Sequence, residues 1–379
     1  MGKGELLSEL ASLIGPEGVS NALSDPHSRR PPRPCGLTVH PGRGCPNACL
    51  YCYVGDVLGT GPSEPKPTPL SGLEMAYALA ANPYFVPGRM GTFLAMGAVC
   101  DPFHPSLIGR TLEIMRSVAS HLGNPLQFST KMPIDASLAR EIPRRSPISP
   151  LVTLITLEKA EELEPNAPSP WERLEAMREL RKAGLKPMLF LRPIIPGLIE
   201  RELEELLSEA KSAGAVGVVV GSLRVSRRIL ARLARVGLDG PIRERLKAPP
   251  GEGLVAVPCP DLKGEALHLA SEKGLLGFKS ACCANAFCAQ VPCADLCWLR
   301  GFCTNCPNRC LEKLPEVAEE DIIQALKVAF GMKALSAHVG EFKIEIALRR
   351  GARARKVLKV AKKVLEVATR RAIVFKWAG

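Results

Sequence analysis

Between residues 36 and 237 one pattern recurs six times: a short run of β-branched and apolar residues, then a longer run whose apolar positions repeat with helical spacing. The strand-like runs fall at 36–40, 92–99, 126–130, 151–157, 186–192 and 216–221. The helical runs that follow them are LEMAYALAAN, SLIGRTLEIMRSVASHL, IDASLAREI, SPWERLEAMRELRKAG, IERELEELLSEAKSAG and SRRILARLARVG. Gly184 and Gly214 stand where helix C-caps belong, and Ser169 followed by Pro170 has the form of an N-cap with proline in the first turn. Strand–helix units in series require parallel pairing, and right-handed crossovers curl such a sheet into a barrel or part of one. The expected fold class is α/β, a partial TIM barrel of (βα)6 form. Its chemistry should collect at the C-terminal strand ends, where loops and helix N-termini converge.

The loop after the first strand reads GRGCPNACLYCYVGD and places Cys45, Cys49 and Cys52 in C-x3-C-x2-C spacing. Three thiolates on one loop can hold three corners of a cubane cluster and leave the fourth iron open to a small chelating molecule. A zinc site is the alternative, but structural zinc closes its tetrahedron with four ligands and favours C-x2-C pairs.

This loop resembles the cluster loop of the radical S-adenosylmethionine (SAM) superfamily. Together with AMGAVCDPF, QFSTKMPID, VTLITLEKAEELEPNAPSPWERLEAMRELRKAG and FLRPIIPG, it is similar to spore photoproduct lyase and its relatives over residues 36–230. The resemblance implies a 4Fe-4S cluster on Cys45, Cys49 and Cys52 whose unique iron binds SAM, and reductive cleavage of SAM to a 5'-deoxyadenosyl radical. It further implies Cys100 as hydrogen-atom donor, Tyr51 and Tyr53 beside the last cluster cysteine, and Lys131 as a SAM contact. Cys100, Lys131, Thr153, Thr156 and Arg192 all fall at or just beyond expected strand C-termini, and Lys and Arg there suit a carboxylate. Each also has an ordinary reading: Cys100 as core filler, Lys131 and Arg192 as ion-pair residues, Thr153 and Thr156 as strand formers.

A second cysteine group, ACCANAFCAQVPCADLCWLRGFCTNCPNRC, holds Cys282, Cys283, Cys288, Cys293, Cys297, Cys303, Cys306 and Cys310. All-thiolate ligation is expected, as one or two auxiliary iron-sulfur clusters, with zinc as the alternative. Spore photoproduct lyase has no such extension, which puts dimer repair in doubt and suits a redox-changing reaction better. Cys35 and Cys259 read as buried thiols. With 14 cysteines and no apolar run of membrane-spanning length, the chain is expected in the cytoplasm, away from membranes. Three Gln and 34 Pro suit a hot-growing source.

Residues 331–379 carry 13 Lys+Arg against 3 Asp+Glu, so +10 of the total +12 sits there. A basic amphipathic helix, RARKVLKVAKKVLEVATRR, lies between two strand-like runs, and a face this positive attracts phosphates. A solvated surface helix or a lipid contact would look the same. The expected organisation is an N-terminal extension at 1–34, the barrel at 35–240, a connector and Cys-rich segment at 241–315, and a small basic α/β module at 316–379. The expected function is a radical SAM enzyme acting on nucleic acid, RNA ahead of DNA, served by an electron donor such as ferredoxin or flavodoxin. A peptide-maturing radical SAM enzyme and a non-catalytic, metal-stabilised nucleic-acid-binding protein are the rivals.

Overall fold

The computed structural model describes residues 2–33, 36–297, 306–349 and 355–378. Its centre is a sheet of seven parallel strands in chain order: β1 (Leu37–Thr38), β2 (Leu94–Met96), β3 (Leu126–Thr130), β4 (Ile148–Thr153), β5 (Met188–Ile194), β6 (Gly217–Ser222) and β7 (Leu276–Phe278). Every neighbour in the sheet is a neighbour in sequence, which is the arrangement an open βα barrel requires. The six expected strands are all present, β3 with the expected ends. The seventh lies beyond the six sequence units.

Parallel strands are stable only when both faces are covered. The outer face carries Leu126, Phe128, Val152, Leu189, Leu191, Val218 and Val220, which pack with the surrounding helices in one large core. Those helices begin and end as their sequences dictate. Ser169 and Glu172 form a capping box on Pro170–Lys182, Ser71 and Glu74 do the same for Gly72–Ala81, and Gly184 and Gly214 take left-handed φ values of 81° and 90°. An N-terminal helix, Lys3–Ser24, buries Leu6, Leu10 and Ala22 in the same core.

The inner face of the sheet has a different partner. Phe93, Leu151, Met188, Val219 and Phe278 pack against the helix Ala281–Ala289, which begins the Cys-rich segment. Gln127 donates from Nε2 to Ala281 O at 2.8 Å, Asn285 donates to Leu94 O at 3.4 Å, and Arg89 Nε donates to Ala289 O at 2.8 Å. The helix therefore runs inside the sheet's concave face, with Ala281 toward the strands' C-terminal side and Ala289 toward their N-terminal side.

The C-terminal residues form a three-stranded sheet of β8 (Ala334–Val339), β9 (Lys343–Arg349) and β10 (Ala372–Ala378), with helices Glu319–Phe330 and Arg355–Thr369. Strand β9 alternates buried Ile344, Ile346 and Leu348 with more exposed residues, the pattern of a half-covered sheet. Arg370, fully buried, fixes this module to the barrel: Nη2 donates to Gly91 O at 3.2 Å and the guanidinium lies 5.3 Å from the Phe93 ring centroid. Gly91 and Phe93 precede β2, so the module sits at the N-terminal ends of the strands. No helix among the described residues is long and apolar enough to cross a membrane.

Candidate functional site

The cysteine loop leaves β1 through a two-residue ladder, Gly42–Arg43 against Lys66–Pro67. It is held from several directions. Leu50 N–H donates to Leu163 O at 2.9 Å, and Asn166 Nδ2 donates to Pro46 O at 2.9 Å. From helix Arg227–Ala234, Arg232 donates to Leu50 O at 2.9 Å and to Cys52 O at 2.7 Å. All three thiols, Cys45, Cys49 and Cys52, line one cavity of about 370 Å³ beneath Arg228 and Arg232. Burial pushes the Cys49 thiol up to about 12 and raises that of Cys45, so both are protonated at neutral pH until a metal displaces the proton. Three soft donors on one wall, with no fourth sulfur among the described lining residues, fit a cluster bound at three corners. They do not supply the four ligands of a closed zinc site.

A second cavity, of about 330 Å³, shares Cys52 and Val54 with the first and opens over the C-terminal strand ends. Tyr51, Tyr53, Lys131, Thr153 and Arg192 line it, and so do Gln127, Ser129, Arg224 and Ala281, which the sequence did not single out. Thus the N-terminal end of the helix inside the sheet forms part of this cavity's floor. Gly97, with φ of 98°, gives the wall its close approach: a Cβ there would stand 2.4 Å from Ser129 Oγ. Tyr53, 39% exposed, donates its hydroxyl to Ala98 O at 3.1 Å, and Arg192 and Arg224 are exposed at the rim.

Two residues expected here lie elsewhere. The Thr156 hydroxyl is buried and donates to Glu202 at 2.7 Å, and Glu202 also accepts the Leu157 and Glu158 amides, so Thr156 shapes the loop after β4 and does not face either cavity. Cys100 is buried behind the wall, hydrogen-bonded to the Gly42 backbone and near Cys45, and burial pushes its thiol up to about 12. Neither cavity is lined by it.

Glu164 organises the inner edge of the site. Its carboxylate, with no exposed surface, accepts from the Tyr51 hydroxyl, pairs with Arg173, and lies 3.7 Å from Lys131 Nζ. Lys131 also sits 5.5 Å from the Tyr51 ring centroid. Burial opposes its charge, but Cys49 and Glu164 beside it hold its pKa above the ordinary lysine value. Burial and the Glu164 charge likewise keep Tyr51 protonated well beyond the usual phenol range. In sequence, Glu164 is one acid among several in EKAEELEP and carries no signal of its own.

The Cys-rich segment gathers its thiols unevenly. The Cys293 sulfur lies within hydrogen-bonding reach of Cys282, Cys283 and Cys297. Cys310 Sγ accepts from the Cys293 amide at 3.3 Å and from Asn308 Nδ2 at 3.1 Å, and Cys306 packs at the margin of the same core. Cys288 faces away, bonded to Ser149, with its thiol raised by burial to about 11. Cys303 and Cys35 lie outside the described residues. Cys259 is buried and donates to Ser222 Oγ at 3.3 Å.

The structure thus joins a curled parallel sheet, three thiols on the loop after its first strand, and a cavity over the strand ends that meets those thiols at Cys52. Residues 39–210 match the Radical SAM superfamily model. An uncharacterized protein of Mycobacterium tuberculosis is 28% identical over 207 residues, 51% of this chain and 60% of that protein. An uncharacterized protein of Acidianus two-tailed virus is 26% identical over 214 residues, 52% of this chain and 67% of that one. The match thus spans about three fifths of the mycobacterial relative's length. Among solved structures, a variant of spore photoproduct lyase with bound AdoMet and dinucleoside spore photoproduct superposes with a TM-score of 0.52. The two are 19% identical, and the match covers 63% of this chain and 75% of that one. At this identity the likeness concerns the fold.

Removing the charge of Glu164 would strand Lys131 and Arg173 with no buried anion. Glu164→Gln is expected to cost about 3–5 kcal/mol in chemical denaturation, the usual loss when one member of a buried ion pair is removed. A loss under about 1 kcal/mol, the range of exposed pairs, would show that the network does not hold the site together.

Proposed function

We propose that the protein is a radical SAM enzyme that acts on nucleic acid, with RNA taken ahead of DNA. The observation that carries the reading is the junction of the two cavities at Cys52 and Val54, which sets a three-thiol cluster site directly against a substrate-sized space. Cys45, Cys49 and Cys52 would hold the 4Fe-4S cluster, and when bound the cluster and SAM supply the 5'-deoxyadenosyl radical. The chain's own residues do the rest. Lys131, kept cationic by Glu164, and Thr153 provide polar groups on the cavity wall for SAM. Tyr51 and the apolar wall keep water from the loop. Arg192 and Arg224 at the rim are placed to meet phosphate, and the fold relative with a dinucleoside photoproduct in its site supports a nucleotide-bearing substrate. The thiols of the Cys-rich segment would carry an auxiliary iron-sulfur cluster, and a ferredoxin or flavodoxin would supply electrons. The return of a hydrogen atom is assigned to Cys100 on the sequence resemblance alone, since its thiol lines neither cavity.

Anaerobic reconstitution with SAM and a reductant should yield 5'-deoxyadenosine from the parent protein and none from the Cys45→Ala, Cys49→Ala, Cys52→Ala triple variant. Product from the triple variant would end the radical SAM reading. The substrate class is tested by comparing modified nucleosides in total RNA and total DNA from cells with and without the gene; no difference in either would remove the nucleic acid.

Cys100→Ala should leave 5'-deoxyadenosine formation intact and alter the product or its hydrogen-isotope content. Unchanged product would dismiss the thiol as donor. Arg192→Ala with Arg224→Ala should weaken binding in a gel shift and flatten its salt dependence by up to about two phosphate contacts. An unchanged slope would place the phosphates elsewhere.

A further inference from the structure

Arg370 poses an electrostatic problem. Its side chain has no exposed surface, and its donors are only partly matched by neutral acceptors: Nη1 donates to Val367 O and Nη2 to Gly91 O, while Nε is buried with no partner. The Phe93 ring faces the guanidinium at 5.3 Å. Among the described residues it forms no ion pair with any carboxylate. A buried guanidinium without a counter-charge costs several kcal/mol. Phe93 shares one buried core with Cys293 and Cys310, and among the described residues those two sulfurs are the groups acting on Arg370 that can become anionic.

Protonated thiols are neutral and leave that cost standing. Thiolates bound to a metal centre carry net negative charge, because four sulfur anions outweigh a single zinc ion or an oxidised 4Fe-4S core. Cys293 lies within hydrogen-bonding reach of Cys282, Cys283 and Cys297, and Cys310 accepts two N–H donors as a cluster sulfur does. Arg370 comes from the C-terminal module, whereas its partners Gly91 and Phe93 belong to the barrel and the sulfurs to the segment inside it.

We propose that an anionic thiolate-bound metal centre forms inside the barrel, with ligands drawn from Cys282, Cys283, Cys293, Cys297 and Cys310, and that Arg370 is its buried counter-charge. Loading of the centre and docking of the C-terminal module are then linked, each strengthening the other. Arg370 acts as a positioning residue: it touches no reacting atom, but it favours the more negative, reduced state of the centre and so raises its potential. This rests on the reading that the Cys-rich segment binds iron and sulfide.

The test uses the full chain with Cys45, Cys49 and Cys52 replaced by Ala, so that remaining metal belongs to this segment. Iron, sulfide and zinc are measured in this parent and in its Arg370→Gln and Arg370→Lys versions, followed by the rate of metal loss to a chelator and by a redox titration read through EPR. Iron and sulfide should remain in the parent. Arg370→Gln should lose metal at least several-fold faster and show a lower midpoint potential, and Arg370→Lys should recover most of both. Gln and parent alike in rate and potential would overturn the counter-charge, as would Gln and Lys impaired equally, since packing alone would then explain the loss. Zinc in place of iron, with the same ordering of chelator rates, would keep the counter-charge and remove the iron-sulfur reading. A parent with no metal, while the protein with Cys45, Cys49 and Cys52 intact holds a cluster, would remove the centre itself.

Discussion

An open parallel sheet must be covered on its concave face, and in this protein the cover is the first helix of the Cys-rich segment. The outer face is served by the helices that alternate with the strands, but nothing in the βα repeat fills the interior. Phe93, Leu151, Met188, Val219 and Phe278 would face water without Ala281–Ala289 between them. Leaving even one such side chain exposed forgoes about 1.5–3 kcal/mol. The segment is therefore part of the barrel's core as well as a store of thiols. Its N-terminal end closes the floor of the reaction cavity at Ala281, so the two cysteine groups, 230 residues apart in sequence between Cys52 and Cys282, border the same interior.

That placement changes what the segment can do. A peripheral extension could hold metal without affecting the chemistry of the barrel. Thiols packed against the inner sheet share its shielding from water and its low dielectric. Charge on a metal centre held there would be felt in the cavity, with little solvent to screen it. The same low dielectric bears on a buried charge at each end of the barrel: Glu164 among Lys131, Arg173 and Tyr51 at the loop, and at the opposite end Arg370, for which the proposed metal centre would be the partner.

The strands and the cluster loop were legible in the sequence because both are local patterns. Residues 126–130 alternate and are bounded by proline and lysine, and they form β3 without adjustment. Strand β4 begins at Ile148, earlier than the β-branched run suggests, because Pro150 masks its start. Strand β7 is three residues long and joins the sheet through the edge β6 offers, a reason no local pattern contains. At the site, Lys131, Thr153 and Arg192 line one cavity because strand ends converge there, and Tyr51 and Tyr53 reach it from the cysteine loop. Glu164 stayed hidden because its meaning depends on Arg173 and Lys131, which reach it from separate elements. Arg370 stayed hidden for the opposite reason: in a strongly basic tail, one more arginine looks like surface charge.

The tail's charge accordingly divides by position. Arg370 turns into the barrel, and Arg371 is spent on Gly340 O, Pro315 O and Thr369 O within the module. Lys362 and Lys363 lie beside Glu366. Arg355, Lys356 and Lys359 remain outward on the helix, at the end of the barrel away from the cavity. Exposed cations at that distance are screened from the mouth by physiological salt, since the Debye length is about 8 Å. A polyanion entering the cavity would be positioned by Arg192 and Arg224 at the rim, and the net charge of the tail says little about that step. On the proposal above, the module's closer tie is to the metal centre it would cover. A basic body held against anionic sulfur would be stabilised by what it helps to bind, and its docking would then be a property of the loaded protein.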